Sequence, residues 1–172
     1  MIYLVETIDY AGARTIFAMR ATWIRHVNLY RLAMSVAEPV GGLGRSGMAR
    51  MSKTILTVDD SSTMRKLLRY TLTAQGHIVH DAEDGIAALE WLAENPQPDL
   101  LITDLNMPRM DGFGLVEAVR ANGSHNDMPI IILSTENSDE KQAYGANAGA
   151  NGWLVKPFDP ARLATAIEMV FP

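Results

Sequence analysis

From Met51 onward, short apolar runs alternate with longer stretches of helical spacing. Thr54–Val58 is β-branched and apolar, the pattern of a buried strand. Asp59 and Asp60 end it, and Ser61 or Ser62 caps a helix reaching about residue 75. Met64, Leu67, Leu68, Thr71 and Leu72 form the predicted apolar face of that helix, and Gly76 closes it. Ile78–Ala82 reads as a second strand. Asp84 and Gly85 open a helix through Ile86, Leu89 and Leu92, closed by Asn95 and Pro96. Residues 100–103 form a third strand, and residues 113–119 a helix ending near Asn122 and Gly123. Ile130–Ser134 is the fourth strand, followed over 138–148 by a weak helix rich in Ala and Gly. Gly152–Val155 is the fifth strand. Lys156 and Pro157 break it, and Asp159 or Pro160 starts a last helix to Val170.

Five strands alternating with five helices define an α/β chain. Its sheet is parallel, covered on both faces and joined by right-handed crossovers. Ligand sites in such sheets lie at the carboxyl ends of the strands.

Residues 1–50 read differently. Arg14, Arg20, Arg25 and Arg31 punctuate an apolar, aromatic stretch with helical potential over about 12–37. Pro39, Gly41, Gly42, Gly44 and Gly47 then mark 38–50 as a linker. The chain therefore divides into an extension, 1–50, poorly ordered or partly helical, and a domain, 51–172. The extension is read as an upstream segment before a natural start at Met51, with a docking helix or a targeting peptide as alternatives.

Charge follows the same division: residues 1–50 carry six Arg against three acids, whereas residues 51–172 carry nine Lys and Arg against seventeen acids. So acidic a domain is a poor match for a nucleic-acid phosphate backbone. With no cysteine, disulfides, thiolate metal sites and thiol nucleophiles are excluded. No apolar run approaches the ~18 residues of a spanning helix, so no membrane insertion is expected.

The candidate chemistry lies at the strand ends. Strand one ends in Asp59 and Asp60, strand three in Asp104, strand four in Ser134 and Thr135, and strand five in Lys156. Alone, each has an ordinary role. Asp59 or Asp60 could cap a helix, Asp104 could form a turn, Ser134 could bond to backbone, and Lys156 could be a loop lysine. As a set at four strand ends, if those strands are neighbours, they gather three carboxylates, a hydroxyl and an ammonium in one crevice. Clustered carboxylates raise one another's pKa unless a cation neutralises them, and a hard divalent ion such as Mg²⁺ suits oxygen ligands. With Lys156, such a site can neutralise a phosphoryl group, and a carboxylate can itself act as the nucleophile. His26, His77, His80 and His125 show no metal spacing.

These residues also carry a family signature. The segments 58–65, 104–112, 133–136 and 148–158 match in order and spacing. Residues 51–172 resemble the receiver domain of two-component response regulators, in its single-domain, CheY-like chemotaxis form. The resemblance implies the doubly wound, five-stranded, flavodoxin-like fold with strand order 2-1-3-4-5. Asp104 would be the phosphoacceptor for a histidine kinase. Asp59, Asp60, Asp104 and the backbone carbonyl of Asn106 would hold Mg²⁺. Lys156 and Ser134 would contact the phosphoryl group. Ser134 and Trp153 would be the switch pair, with Trp153 at a position usually held by Tyr or Phe. Asn106 and Glu136 would tune hydrolysis, and the Lys156–Pro157 peptide would be cis.

The same resemblance implies a cytoplasmic, monomeric switch and no enzyme in the ordinary sense. Its partners would be a histidine kinase, a flagellar motor switch or a phosphorelay protein, and a phosphatase. Two other classes fit less well. A haloacid-dehalogenase-type phosphatase needs a second Asp two residues after the nucleophile, where this chain has Asn106. A flavodoxin-type nucleotide binder needs a neutral cradle after strand one, where Asp59 and Asp60 would repel phosphate.

Overall fold

The computed structural model describes residues 3–8, 14–19 and 52–171. The first two segments form a unit of their own. Strand β1 (Tyr3–Ile8) pairs antiparallel with β2 (Arg14–Met19), with Tyr3 opposite Met19 and Ile8 opposite Arg14. This corrects the helix expected from residue 12, because Arg14–Met19 is a strand. Thr15, Ile16 and Phe17 favour extended backbone, and Tyr3, Val5 and Ile8 supply an equally β-prone partner. The rest of that expected helix and the 38–50 linker lie outside the described residues.

Residues 52–171 carry β3 (Thr54–Val58), α1 (Ser62–Ala74), β4 (Ile78–Ala82), α2 (Gly85–Glu94) and β5 (Leu100–Asp104). After these come α3 (Gly112–Ala121), a 3₁₀ turn (Gly123–His125), β6 (Ile130–Ser134), α4 (Asp139–Ala148), β7 (Gly152–Val155) and α5 (Pro160–Val170). The five strands are all parallel, in the order β4-β3-β5-β6-β7. That is order 2-1-3-4-5 within the domain.

Period two divides the continuous apolar runs between two cores. Leu56, Leu101, Ile130 and Ile132 face α2, α3 and α4, where Ala88, Leu115 and Val119 pack on them. Ile55, Leu100, Ile102, Ile131 and Leu133 face α1 and α5, meeting Leu68, Leu72, Leu163 and Ile167. Both central strands, β5 and β6, are buried along their whole length. Leu67, expected on the apolar face of α1, is instead 49% exposed. It lies one residue round the helix from Leu68, outside the stripe set by Leu68, Thr71 and Leu72.

Each helix starts at the carboxyl edge of the sheet on a short polar cap. Ser61, Asp84, Asp111, Ser138 and Asp159 accept N–H bonds from residues three further on. Gly76 and Gly149 end α1 and α4 at φ values of 91° and 112°, where a side chain would be strained. The Lys156–Pro157 peptide is cis.

Candidate functional site

Parallel register brings the ends of β3, β5, β6 and β7 to one edge. There the carboxylates of Asp59, Asp60 and Asp104 each offer an oxygen within 4.8 Å of the others. Asp59 and Asp104 are buried, while Asp60 is exposed. Lys156 reaches in from the end of β7. Its Nζ donates to Asp59 Oδ2 at 2.8 Å and to Asp104 Oδ1 at 2.7 Å.

The Asp59 carboxylate is fixed a second time, because Oδ1 accepts the Ser61 N–H at 2.9 Å. Asp104 is held by its backbone neighbourhood, with Leu105 N–H donating to the Leu133 carbonyl at 2.9 Å and Gly112 N–H to the Leu105 carbonyl at 2.9 Å. Gly112 is an obligatory close approach. A Cβ there would lie 2.4 Å from the Asp104 carbonyl oxygen. Only backbone movement can relieve such a clash, so Gly112→Ala is expected to cost about 2 kcal/mol. A urea melt checks this, and an unchanged midpoint would show that the turn yields freely.

Electrostatics at the pocket is a balance. Burial pushes the Asp104 carboxyl above its ordinary range, against the opposing pull of the Lys156 hydrogen bond and charge. For Lys156, burial alone would lower the ammonium. The hydrogen bonds to Asp104 and Asp59 and their charges outweigh it, so its pKa stands above the usual value. One ammonium shared by two carboxylates leaves the group short of positive charge, with Asp60 in addition. An all-oxygen donor set of this charge suits a hard divalent cation such as Mg²⁺.

Ser134 is fully buried at the end of β6, and the Lys156 N–H donates to its carbonyl at 2.7 Å. Its Oγ accepts the Glu136 N–H at 3.0 Å. The Glu136 carbonyl accepts Trp153 Nε1–H at 3.2 Å. Lys141, on α4, meets both oxygens of the Glu136 carboxylate, at 2.6 and 2.5 Å. One residue thus ties Ser134, Trp153 and α4 together. Asn106 is exposed in the turn directly after Asp104.

Trp153 itself is buried, 8% exposed, between β6 and α4. A Cβ on Gly145 would stand 3.2 Å from the indole and from Ile132, and 3.4 Å from Phe113. Gly145 reads from sequence only as a soft point in α4. In the fold, its missing side chain makes room for the indole.

Three contacts around the site were not legible from motif spacing. Arg109 holds the turn after β5 in a left-handed conformation, φ 63°, and pairs with Asp84, the cap of α2. Burial would raise the Asp84 carboxyl; the Ala87 N–H and the Arg109 guanidinium overrule it and keep the pKa below the usual range. Arg65 reaches back from α1 to the acid pair. The third contact is the Lys141–Glu136 pair. The first joins residues 25 apart in sequence, while the other two are local contacts whose partners are a backbone carbonyl pair and a loop carboxylate.

A doubly wound parallel sheet with an acid cluster and a lysine at its carboxyl edge defines a receiver-type module. Residues 55–168 match the model for the response regulator receiver domain. A chemotaxis protein CheY homolog of Campylobacter jejuni is 45% identical over 117 residues, spanning 67% of this chain and 90% of that protein. Chemotaxis protein CheY1 of Helicobacter pylori is 43% identical over 117 residues, 67% of this chain and 94% of that protein. The solved structure of chemotaxis protein CheY4 of Vibrio cholerae superposes with a TM-score of 0.66 at 42% identity, covering 70% of this chain and 99% of that one. The chain belongs to the response regulator receiver family, whose members are phosphorylation-dependent switches of two-component signalling. Among the described residues, no helix is long and apolar enough to cross a membrane.

Proposed function

We propose that Asp104 is the phosphoacceptor of this switch and that Asp59, Asp60, Asp104 and the Asn106 carbonyl hold Mg²⁺ beside it. The observation that carries the reading is Lys156 bridging Asp59 and Asp104 within a pocket of three carboxylates. An Asp104 carboxylate oxygen attacks phosphorus, the N–P bond of a phosphohistidine breaks, and the imidazole leaves with its electron pair. Bound Mg²⁺ supplies charge neutralisation at the phosphoryl oxygens. Lys156 gives a second positive contact, preorganised by its two carboxylates.

Ser134 rotates its hydroxyl toward the new anion to donate to it, and that rotation carries Oγ away from the Glu136 N–H it accepts at 3.0 Å. Glu136 then moves with the loop after β6, and its carbonyl carries the displacement to Trp153. The surface of α4, β7 and α5 shifts toward a partner-binding population.

Names of the relatives point to chemotaxis, so the first-choice output is a flagellar motor switch contacted in the cytoplasm. The test has two parts. Incubation with a small phosphodonor should add one phosphoryl by intact mass, and only with Mg²⁺. The phosphorylated form should then capture a motor switch protein. Onward transfer to a second histidine domain would replace the motor output by a phosphorelay. No adduct from a folded protein with Mg²⁺ would overturn the phosphoacceptor reading.

Loss of phosphate is self-catalysed by an in-line water, which breaks the P–O bond and returns the Asp104 carboxylate with inorganic phosphate. Asn106 and Glu136 flank that approach. Asn106→Met with Glu136→Arg should lengthen the phosphorylated lifetime on the order of tenfold, followed as decay of the mass adduct. An unaltered lifetime would remove both residues from the water path.

A further inference from the structure

Asp59 and Asp60 present two successive backbone carbonyls between the end of β3 and the start of α1. Neither belongs to a strand ladder or to the helix. Arg65, in the first turns of α1, takes both: its Nη1 donates to the Asp59 carbonyl at 2.8 Å and to the Asp60 carbonyl at 3.2 Å. The guanidinium is half-buried, with its side chain 19% exposed. Behind it stands Asp81 of the edge strand β4, 3.4 Å from Arg65 Nε. Asp81 is fixed in turn by Arg69, whose Nη1 also donates to the Val79 carbonyl at 3.2 Å. Asp59 N–H donates to the Ala82 carbonyl at 3.2 Å, joining the acid pair to the same end of β4.

These contacts form a brace. The rotation of the 59–60 peptide decides where both carboxylates point, and Arg65 Nη1 holds that peptide by its own carbonyl, on Asp59, and the next peptide by the carbonyl of Asp60. A planar guanidinium can donate to two acceptors while its Nε faces a carboxylate, which an ammonium on a flexible stem does not reproduce. Arg65 and Asp81 do not themselves bond Asp104 or Lys156, so the brace acts on the acid pair directly and reaches the lysine only through Asp59.

We infer that Arg65, backed by Asp81, is a positioning residue that sets the geometry of Asp59 and Asp60 and thereby the divalent-cation affinity of the pocket. The inference rests on reading that pocket as the Mg²⁺ site. It makes a prediction of definite sign. By charge alone, removing a cation near three carboxylates should tighten Mg²⁺ binding. If Arg65 positions the ligands, removing it should loosen binding.

The experiment is calorimetric titration of the full chain with Mg²⁺ alone, for the wild type, Arg65→Ala, Arg65→Lys, Asp81→Asn and the Arg65→Ala/Asp81→Asn double variant. Arg65→Ala should weaken Mg²⁺ about tenfold, the range seen when a group that orients a metal ligand is lost. Arg65→Lys should restore part of this. Asp81→Asn should weaken binding less, and should add nothing on top of Arg65→Ala, because it acts through that side chain. Saturating Mg²⁺ should bring phosphodonor uptake by Arg65→Ala back close to that of the wild type. Equal or tighter Mg²⁺ binding by a folded Arg65→Ala, or additivity in the double variant, would overturn the inference and leave the phosphoacceptor reading standing. A wild type that binds no Mg²⁺ would overturn both. Arg65→Lys and Asp81→Asn keep the test decisive if Arg65→Ala does not fold.

Discussion

Asp104→Asn is expected to take up no phosphoryl group from a small phosphodonor at any Mg²⁺ concentration, while the wild type takes up one. Asn keeps the shape and can still accept from Lys156, but its amide is not a nucleophile toward phosphorus. The same variant should be more stable than the metal-free wild type at neutral pH, by on the order of 1 kcal/mol, as is common where a site holds destabilising charge for function. The sign comes from Asp104 itself, whose pKa burial raises above the usual 3.8. A carboxyl that binds its proton more tightly folded than unfolded weakens folding as pH rises through its unfolded pKa. That penalty is complete above its folded pKa. The advantage of Asp104→Asn should therefore be full at neutral pH and should vanish in acid below the ordinary carboxylate range. Mg²⁺ should reverse the ranking, because it stabilises whichever form binds it better. Thermal melts across pH, with and without Mg²⁺, read all of this. A variant that still takes up phosphoryl, or that is less stable at neutral pH, would contradict the role assigned to Asp104.

Lys156→Ala should have the opposite effect on stability and a comparable effect on chemistry. It leaves Asp59 and Asp104 facing each other without their shared cation, 2.8 and 2.7 Å from which they now sit. Breaking a buried ion pair costs several kcal/mol, and solvent reaching the partly open pocket reduces this to about 2 kcal/mol. Phosphoryl uptake should fall about 100-fold, the effect of deleting one preorganised donor to a developing anion. The Lys156 pKa stands above 10.5, so its contribution is whole below that value. It is lost as pH rises through the folded pKa. The stability gap between wild type and Lys156→Ala should thus be flat through neutral pH, close in strong alkali, and narrow in acid as Asp104, its partner, takes up a proton. Denaturant midpoints at several pH values test it. A gap that closes near neutrality would mean that some other group sets the stability of the pocket.

Much of the domain is legible because its runs are unambiguous. Residues 130–133 and 100–102 are apolar without alternation, the pattern of a short strand covered on both faces. Asp59, Asp104 and Lys156 are legible as a set because parallel strands end on one edge. Which strands are neighbours is not legible this way, since β5 and β6 carry equivalent patterns; the order came from family resemblance. The arginines were missed for the same reason. Arg65 meets Asp81, and Arg109 meets Asp84, only once β4 lies beside β3. Leu67 failed because spacing finds a helical stripe without finding its edges. The hairpin of Tyr3–Ile8 and Arg14–Met19 was missed because an apolar, aromatic stretch suits helix or strand, and strand pairing is decided by a partner elsewhere in the chain.

Gly145 and Trp153 share one volume, and this conditions how the chain can change. A larger residue at 145 fits better once a smaller aromatic stands at 153, because its Cβ would press on the indole as well as on Ile132, each at 3.2 Å. A smaller aromatic installed first leaves a gap that Ala at 145 could fill. The two positions should therefore be exchanged in a fixed order by any lineage or library that reaches the alternative pairing. A screen that varies them singly would discard the change at 145 and so miss a workable pair.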